Sequence, residues 1–168
     1  MTRRKSPLAK MIMIWAPLIF VVCLIFLLRI PIRNDSMGMF LPHVSLIFGY
    51  YYILNKPGFV PPLALFSIGF IDDFASGTPF GVTSFVLLML ALVLNNQQKI
   101  TQGQGFLLTW IGFVVVAVTL YPLIWLLHSF AAGSFLSFYP LLLQGLVTIL
   151  LFPIITMLFR LFNNYFLK

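Results

Sequence analysis

The chain has 168 residues, of which 61% are hydrophobic and only 8% are charged. Because a soluble globular domain carries about 25% charged residues, this composition excludes a soluble domain and indicates an integral membrane protein. The net charge of +7 does not indicate nucleic-acid binding, since the lysines and arginines are scattered over several connections and form no basic stripe. We therefore expect membrane lipid, and no nucleic acid, among its partners.

Six apolar segments predict six transmembrane helices. A spanning helix needs about 20 residues, and six such segments use nearly the whole chain, so we predict a single transmembrane domain over residues 1–168. The connections are short, which favours antiparallel neighbours in one compact all-α bundle. The approximate spans are 11–28, 40–54, 59–76, 82–94, 106–127 and 135–159, and the longest loops are 29–39 and the amide-rich stretch 95–105.

The basic residues predict the orientation of this bundle. With the N-terminus in the cytoplasm, eight basic residues fall on the inner side and two, Arg29 and Arg33, fall on the outer side. Both termini are then cytoplasmic in a multi-pass protein. The inner residues are Arg3, Arg4, Lys5, Lys10, Lys56, Lys99, Arg160 and Lys168.

Asp72 and Asp73, two of the three acidic residues, lie in a stretch that otherwise reads as membrane-buried. A charged side chain at that depth is unfavourable by at least ~2.5 kcal/mol, so it is retained for a partner, a site or a packing role. Asp73 shares one helix stripe with Gly69 and Gly77, a small-residue face suited to close helix packing. This segment is therefore the candidate functional region.

The aspartates have several possible chemical roles. Asp72 and Asp73 do not form the pair of an intramembrane aspartyl protease, because adjacent helical residues diverge by about 100°. A magnesium site of a prenyl-diphosphate enzyme would need a second acidic cluster, which the sequence lacks. A proton relay needs only one buried carboxylate and stays open. The simplest interpretation is that Asp73 braces a helix break by accepting hydrogen bonds from loop N–H groups. We predict no catalytic residue, metal or cofactor.

The segment Gly77-Thr-Pro-Phe-Gly81 predicts a turn between the third and fourth helices. It also matches the G-x-x-x-G pattern of packed membrane helices. Pro79 inside it favours the turn, with glycine supplying the positive φ.

Four further residues have weaker interpretations. Pro42 lies near the start of the second helix, and Pro153 removes a backbone donor and is expected to kink the last helix. His43 and His128 have no other ligand-type residue at a suitable spacing, so we expect both at the membrane interface.

Gly69, Asp73, Gly77 and Gly81, at spacings of four residues and followed by an apolar helix, resemble the signature of the bacterial rod shape-determining protein MreD family. By this register Asp73 is the family's aspartate and Asp72 is an addition in this chain. Some members carry a basic residue just after the last glycine, where Val82 and Thr83 stand here. The likeness covers roughly residues 41–161 and extends to Leu41-Pro42, Asn55-Lys56-Pro57, Gln144-Gly145, Pro153 and Arg160.

The resemblance implies an inner-membrane component of the cell-elongation (rod) complex, supporting cell shape and peptidoglycan synthesis without enzymatic activity. Such proteins are partners of the bitopic protein MreC, and through it of MreB, RodA and penicillin-binding protein 2. The stripe of Gly69, Asp73 and Gly77 either seats the MreC helix or serves the bundle's own packing, and the sequence leaves both open.

An alternative function also follows from the resemblance. The family is similar in fold to the substrate-binding subunits of energy-coupling-factor vitamin transporters, which are six-helix membrane bundles. The alternative is therefore uptake of a small molecule or vitamin through an outward-facing pocket beneath the connections 29–39 and 77–81. The sequence offers few polar residues to line such a pocket, which favours the scaffold.

Overall fold

The computed structural model describes residues 7–29, 41–56, 58, 60–101 and 105–166. These residues form six α-helices and no β-strand, in agreement with the predicted all-α fold. The helices are α1 (Pro7–Arg29), α2 (Val44–Asn55), α3 (Pro62–Ser76), α4 (Val82–Thr101), α5 (Phe106–Ala132) and α6 (Tyr139–Phe166).

Two helices in the described part of the chain are long and apolar enough to cross a membrane. They are Phe106–Ala132 in α5 and Tyr139–Asn164 in α6. Three shorter helical stretches are also apolar: Trp15–Arg29, Val44–Asn55 and Val82–Leu94. Length and composition thus support membrane insertion of α5 and α6, while six crossings stay a prediction.

The outer surface of the bundle carries large apolar side chains. Phe130, Phe135 and Leu63 are 87%, 91% and 75% exposed, whereas Asp72 and Asp73 are almost completely buried. Large exposed apolar surface is unusual on a soluble monomer and marks contact with a membrane or a partner. The distribution of polar and apolar groups therefore fits a protein surrounded by lipid.

Helix α2 lies at the centre of the bundle. It contacts α1, α3, α4 and α6, and ten of its twelve residues are buried. A helix that is apolar on all sides is expected in such an interior position. Aromatic rings fill the core beside it, with Phe48 packed edge-on against Phe159, and Phe113 of α5 stacked on Phe152 of α6 at 4.3 Å.

The helix ends gather in two groups. At one end, which we call the Arg29 end, Arg29 at the end of α1 contacts Asp72 near the end of α3. At the opposite end, the Lys56 end, the Tyr52 hydroxyl donates to Asn163 Oδ1 of α6 at 3.1 Å. Consecutive helices are accordingly antiparallel, as the short connections predict.

Pro153 lies inside α6, where it removes one helical hydrogen bond. In a regular helix, the N–H of residue 153 would donate to the carbonyl of Ile149. Proline has no N–H, so this carbonyl lacks its usual donor. Trp110 Nε1 of α5 donates to that carbonyl at 3.2 Å. The tryptophan therefore satisfies the group that the proline leaves unpaired, and it ties α5 to α6 at this point.

The helices extend further than several of the predicted spans. Helix α4 continues to Thr101, so the prediction of a loop from residue 95 was wrong for 95–101. Glutamine and lysine are good helix formers, and this explains why a polar stretch continues the helix. Helix α5 continues past its predicted end at residue 127 to Ala132, and it is capped by Gly133, whose φ of 64° is left-handed.

Candidate functional site at the Arg29 end

Helix α3 presents its two aspartates to different neighbours. Both lie in the last turn and a half of the helix, and both are buried. Consecutive positions on a helix diverge by about 100°, so the two carboxylates lie on different sides of α3. Asp72 contacts residues of α1 and α2, whereas Asp73 contacts the turn before α4 and the start of α4.

Asp72 is the centre of a polar cluster between three helices. Its Oδ1 lies 2.8 Å from Arg29 Nη2. Only 13% of the Arg29 side chain and 2% of the Asp72 side chain are exposed. Its Oδ2 accepts a hydrogen bond from the Ser45 hydroxyl at the start of α2. The charge on the buried carboxylate is thus matched by one guanidinium and one hydroxyl, and the cluster links α1, α2 and α3.

Asp73 caps the beginning of α4. Its carboxylate accepts backbone hydrogen bonds from the N–H groups of Gly81 at 2.8 Å and Thr83 at 3.1 Å, and the Thr78 hydroxyl lies 3.3 Å from Oδ1. The first N–H groups of a helix have no partner within the helix, and a carboxylate there also interacts favourably with the helix dipole. This geometry is the bracing arrangement expected from the sequence.

The turn between α3 and α4 is built on left-handed glycines. Gly77 has φ of 67° and Gly81 has φ of 94°. The Thr78 N–H donates to the Asp73 carbonyl at 3.2 Å and the Gly77 N–H to the Phe74 carbonyl at 3.4 Å, which is the Schellman pattern of a helix end. The sequence-predicted turn at 77–81 is therefore observed.

Gly69 allows α3 and α4 to approach closely. A Cβ atom at this position would lie 2.5 Å from both the Cα and N atoms of Ser84, closer than real contacts allow. The Ser84 hydroxyl donates to the Phe66 carbonyl at 2.9 Å across the same contact. Interhelical hydrogen bonds and small residues of this kind hold membrane helices together in the absence of water.

A second polar network fixes the start of α2 against α5 and α6. The His43 N–H donates to Thr148 Oγ1 at 3.0 Å, the ring Nδ1 lies 3.3 Å from Tyr121 Oη, and Tyr121 Oη lies 2.8 Å from Thr148 Oγ1. His43 is buried. The placement of His43 at the membrane interface stays a prediction, and its hydrogen-bond partners were not foreseen because they are distant in sequence and only the fold brings them together.

Six of the eight predicted site residues form one group in space. Gly69, Asp72, Asp73, Gly77, Pro79 and Gly81 lie together at the Arg29 end. Pro42 is buried beside His43 at the start of α2, and Pro153 lies within α6. Of this set, Gly77 and Pro79 are exposed.

Arg29 and Ser45 are site residues that sequence reasoning did not identify. Arg29 was interpreted only as a topology signal, and Ser45 carried no signal at all. Both contact Asp72, from helices that are distant in sequence. Within the described residues no group of three or more potential metal ligands is found.

The all-helical fold, its exposed apolar side chains and two helices long enough to cross a membrane fit an α-helical membrane protein. Comparison with protein families matches residues 9–162 to the family of the rod shape-determining protein MreD. Because this match covers almost the whole chain, the protein belongs to the MreD family, a membrane component of the rod-shape system. Comparison with curated proteins and with solved structures gives no match. Membership of this family fits a role in rod shape determination.

Proposed function

We propose that the protein is a noncatalytic scaffold of bacterial cell elongation in the inner membrane, acting through MreC on cell shape and peptidoglycan synthesis. The observation that carries this proposal is the family match over residues 9–162. Through MreC the scaffold is connected to MreB, RodA and penicillin-binding protein 2. All six helices cross the membrane in this proposal, with both termini in the cytoplasm.

The hydrogen bonds of the two aspartates support a structural role. Asp72 is paired with Arg29 and Ser45, and Asp73 accepts from Gly81 and Thr83. A general acid or base must reach the proton that it transfers, within hydrogen-bond distance of a substrate. Carboxylates that are buried and bonded to their own chain suit packing better than catalysis.

The same contacts give no support to the alternative, a small-molecule uptake subunit. A ligand pocket needs a few polar groups that converge on free space. Here Arg29 and Asp72 are bonded to each other, and Asp73 is bonded to the turn that would roof the pocket.

We further propose that any partner contact of this motif is made by the turn 77–81 rather than by Gly69 and Asp73. Gly69 and Asp73 are buried inside the bundle, whereas Gly77, Pro79 and Phe80 are exposed. Small residues at the surface let a second helix approach closely in lipid. The turn is accordingly the part of the motif that can receive the transmembrane helix of MreC.

Depletion in a rod-shaped bacterium tests the scaffold role. We expect depleted cells to become round, and we expect MreC to copurify with the tagged protein. A photo-crosslinking residue in place of Phe80 should capture MreC, and one in place of Phe130, which is 87% exposed at the same end, is the matched control. Rod-shaped depleted cells, together with absent copurification, would refute the proposal.

The orientation is tested by labelling single cysteines in a Cys23→Ser background. Gly77 is exposed at the Arg29 end and Asn55 is exposed at the Lys56 end. We expect a membrane-impermeant maleimide, added to intact spheroplasts, to label cysteine at position 77 and not at position 55. The reverse labelling would place the termini on the outside.

A further inference from the structure

A cavity of about 270 Å³ opens at the Lys56 end between α2, α5 and α6. Phe152 and Thr156 of α6 lie buried at its floor, and the exposed Asn55, Phe106 and Arg160 lie at its rim. Phe152 and Met157 give the lining apolar surface, and Asn55 and Arg160 give it polar groups near the opening. The cavity is thus amphipathic, like the boundary between the acyl chains and the headgroups of a bilayer.

The rim lies at the level of the helix ends. Asn55 is the last residue of α2, Phe106 is the first residue of α5, and Arg160 lies less than two turns from the end of α6. Phe152 lies eight residues before Arg160, which corresponds to roughly 12 Å along the helix axis. A molecule that spans the cavity would therefore have its polar part near the membrane surface and its apolar part inside the bilayer.

Arg160 has no counter-charge from the described part of the chain. It forms no salt bridge or hydrogen bond with those residues, and Asp72 and Asp73 both lie at the opposite end. The remaining acid of the sequence, Asp35, is outside the described residues. A guanidinium presents several N–H donors in a planar fork that matches phosphate oxygens.

Neighbouring polar groups add to this anion site. The Asn55 amide donates one hydrogen bond to the Tyr51 carbonyl at 2.8 Å, and its second N–H remains for a ligand. Thr109 also lines the cavity, and its hydroxyl donates to the Gly105 carbonyl at 3.5 Å. Phe152 and Met157 supply the apolar surface that an acyl chain would cover.

We propose that this cavity binds an anionic phospholipid. Arg160 binds the headgroup phosphate, Asn55 donates a hydrogen bond to the headgroup, and one acyl chain packs over Phe152 and Met157. Basic pockets between transmembrane helices are suited to anionic headgroups. This inference is independent of the scaffold role, because lipid retention is measured on the protein without its partners.

Native mass spectrometry of the full chain in detergent tests the proposal. Equal amounts of phosphatidylglycerol and phosphatidylcholine with the same acyl chains are added, and the retained lipid is counted. We expect preferential retention of phosphatidylglycerol. Arg160→Gln should lower that retention about fivefold, the size of effect expected for one basic residue at a membrane surface, and Arg160→Lys should restore much of it.

A second pair of variants tests the cavity without removing the charge. Met157→Trp places a large side chain at the mouth of the cavity and should also reduce phosphatidylglycerol retention. Leu161→Trp is the matched control, because Leu161 is similarly exposed on α6 but does not line the cavity. If Arg160→Gln fails to fold, the comparison of Met157→Trp with Leu161→Trp tests the proposal by itself.

Three results would overturn the proposal. Equal retention of the two lipids would exclude headgroup selection, and unchanged retention in both Arg160→Gln and Met157→Trp would place the lipid elsewhere. Displacement of the lipid by glycerol phosphate at equal concentration would show that the site takes a soluble phosphate instead.

Discussion

Arg29 Nη2 and Asp72 Oδ1 lie 2.8 Å apart and join the end of α1 to the end of α3. The pair is largely buried, and the other carboxylate oxygen is bonded to Ser45 of α2. One aspartate therefore connects three helices at the end of the bundle where the candidate site lies. The pairing also accommodates a charge in the interior of the bundle.

The first prediction concerns this salt bridge. Arg29→Leu should destabilise the protein by ~3 to 5 kcal/mol, because it leaves the buried Asp72 charge without its partner. The double variant Arg29→Leu with Asp72→Leu should be less destabilised than Arg29→Leu alone. Thermal unfolding of the purified variants in detergent measures both effects. Strictly additive effects of the two substitutions would contradict the prediction.

The second prediction separates a brace from a proton relay at Asp73. Asp73→Asn retains a side-chain oxygen for the N–H groups of Gly81 and Thr83, so the cells should remain rod-shaped. Asp73→Leu leaves those groups unpaired and should destabilise the protein by ~1 to 3 kcal/mol. Complementation of a depletion strain, read as cell shape with the protein level measured alongside, distinguishes the roles. Loss of function in a stably expressed Asn variant would favour the relay, and wild-type behaviour of the Leu variant would refute both roles.

The third prediction concerns the close contact of α3 with α4. Gly69→Ala should lower stability by ~1 to 3 kcal/mol, because the added methyl group would meet the backbone of Ser84. Gly105→Ala is the matched control, since nothing lies within 4 Å of a Cβ atom there. Thermal unfolding of the two variants in the same detergent provides the comparison. Equal stability of the two variants would contradict the prediction, because it would mean that α4 moves away from the added methyl group without loss of stability.

The fourth prediction uses the coupling of Trp110 to Pro153. Trp110→Phe removes the donor to the Ile149 carbonyl and should destabilise the protein by ~1 to 3 kcal/mol. In a Pro153→Ala background the helix supplies its own N–H to that carbonyl, so the same substitution should have a smaller effect. A double-mutant cycle of unfolding temperatures measures the difference. An equal effect in both backgrounds would show that the tryptophan acts by packing alone.

The role of Asp73 could be predicted from the sequence because its hydrogen bonds are local. Asp73, Gly77 and Gly81 lie within nine residues, and a proline between two glycines indicates a turn whatever the rest of the fold does. The carboxylate just before such a turn has few N–H donors to choose from. Its contacts with Gly81 and Thr83 are local, since the donors lie eight and ten residues away in the chain.

The contacts between residues distant in sequence could not be predicted in this way. Asp72 has no partner near it in sequence, and its partners Arg29 and Ser45 become visible only when α1 and α2 pack beside α3. His43 finds Tyr121 and Thr148 for the same reason. In a chain with only 8% charged residues, the periodicity of the sequence does not reveal which polar side chains will form hydrogen bonds with each other.

By itself, the sequence determined that the protein is an α-helical membrane protein with a glycine turn between its third and fourth helices, and it placed the chain beside the MreD family. Composition, segment length and local turn chemistry are sufficient for these conclusions, since each depends on residues that are close together in the chain. Only the tertiary structure decided which aspartate pairs with a charge, that Gly69 faces Ser84, and that Trp110 completes the helix interrupted by Pro153. The physical reason is that a buried polar group must be satisfied by whatever the packing of distant helices brings within hydrogen-bond distance.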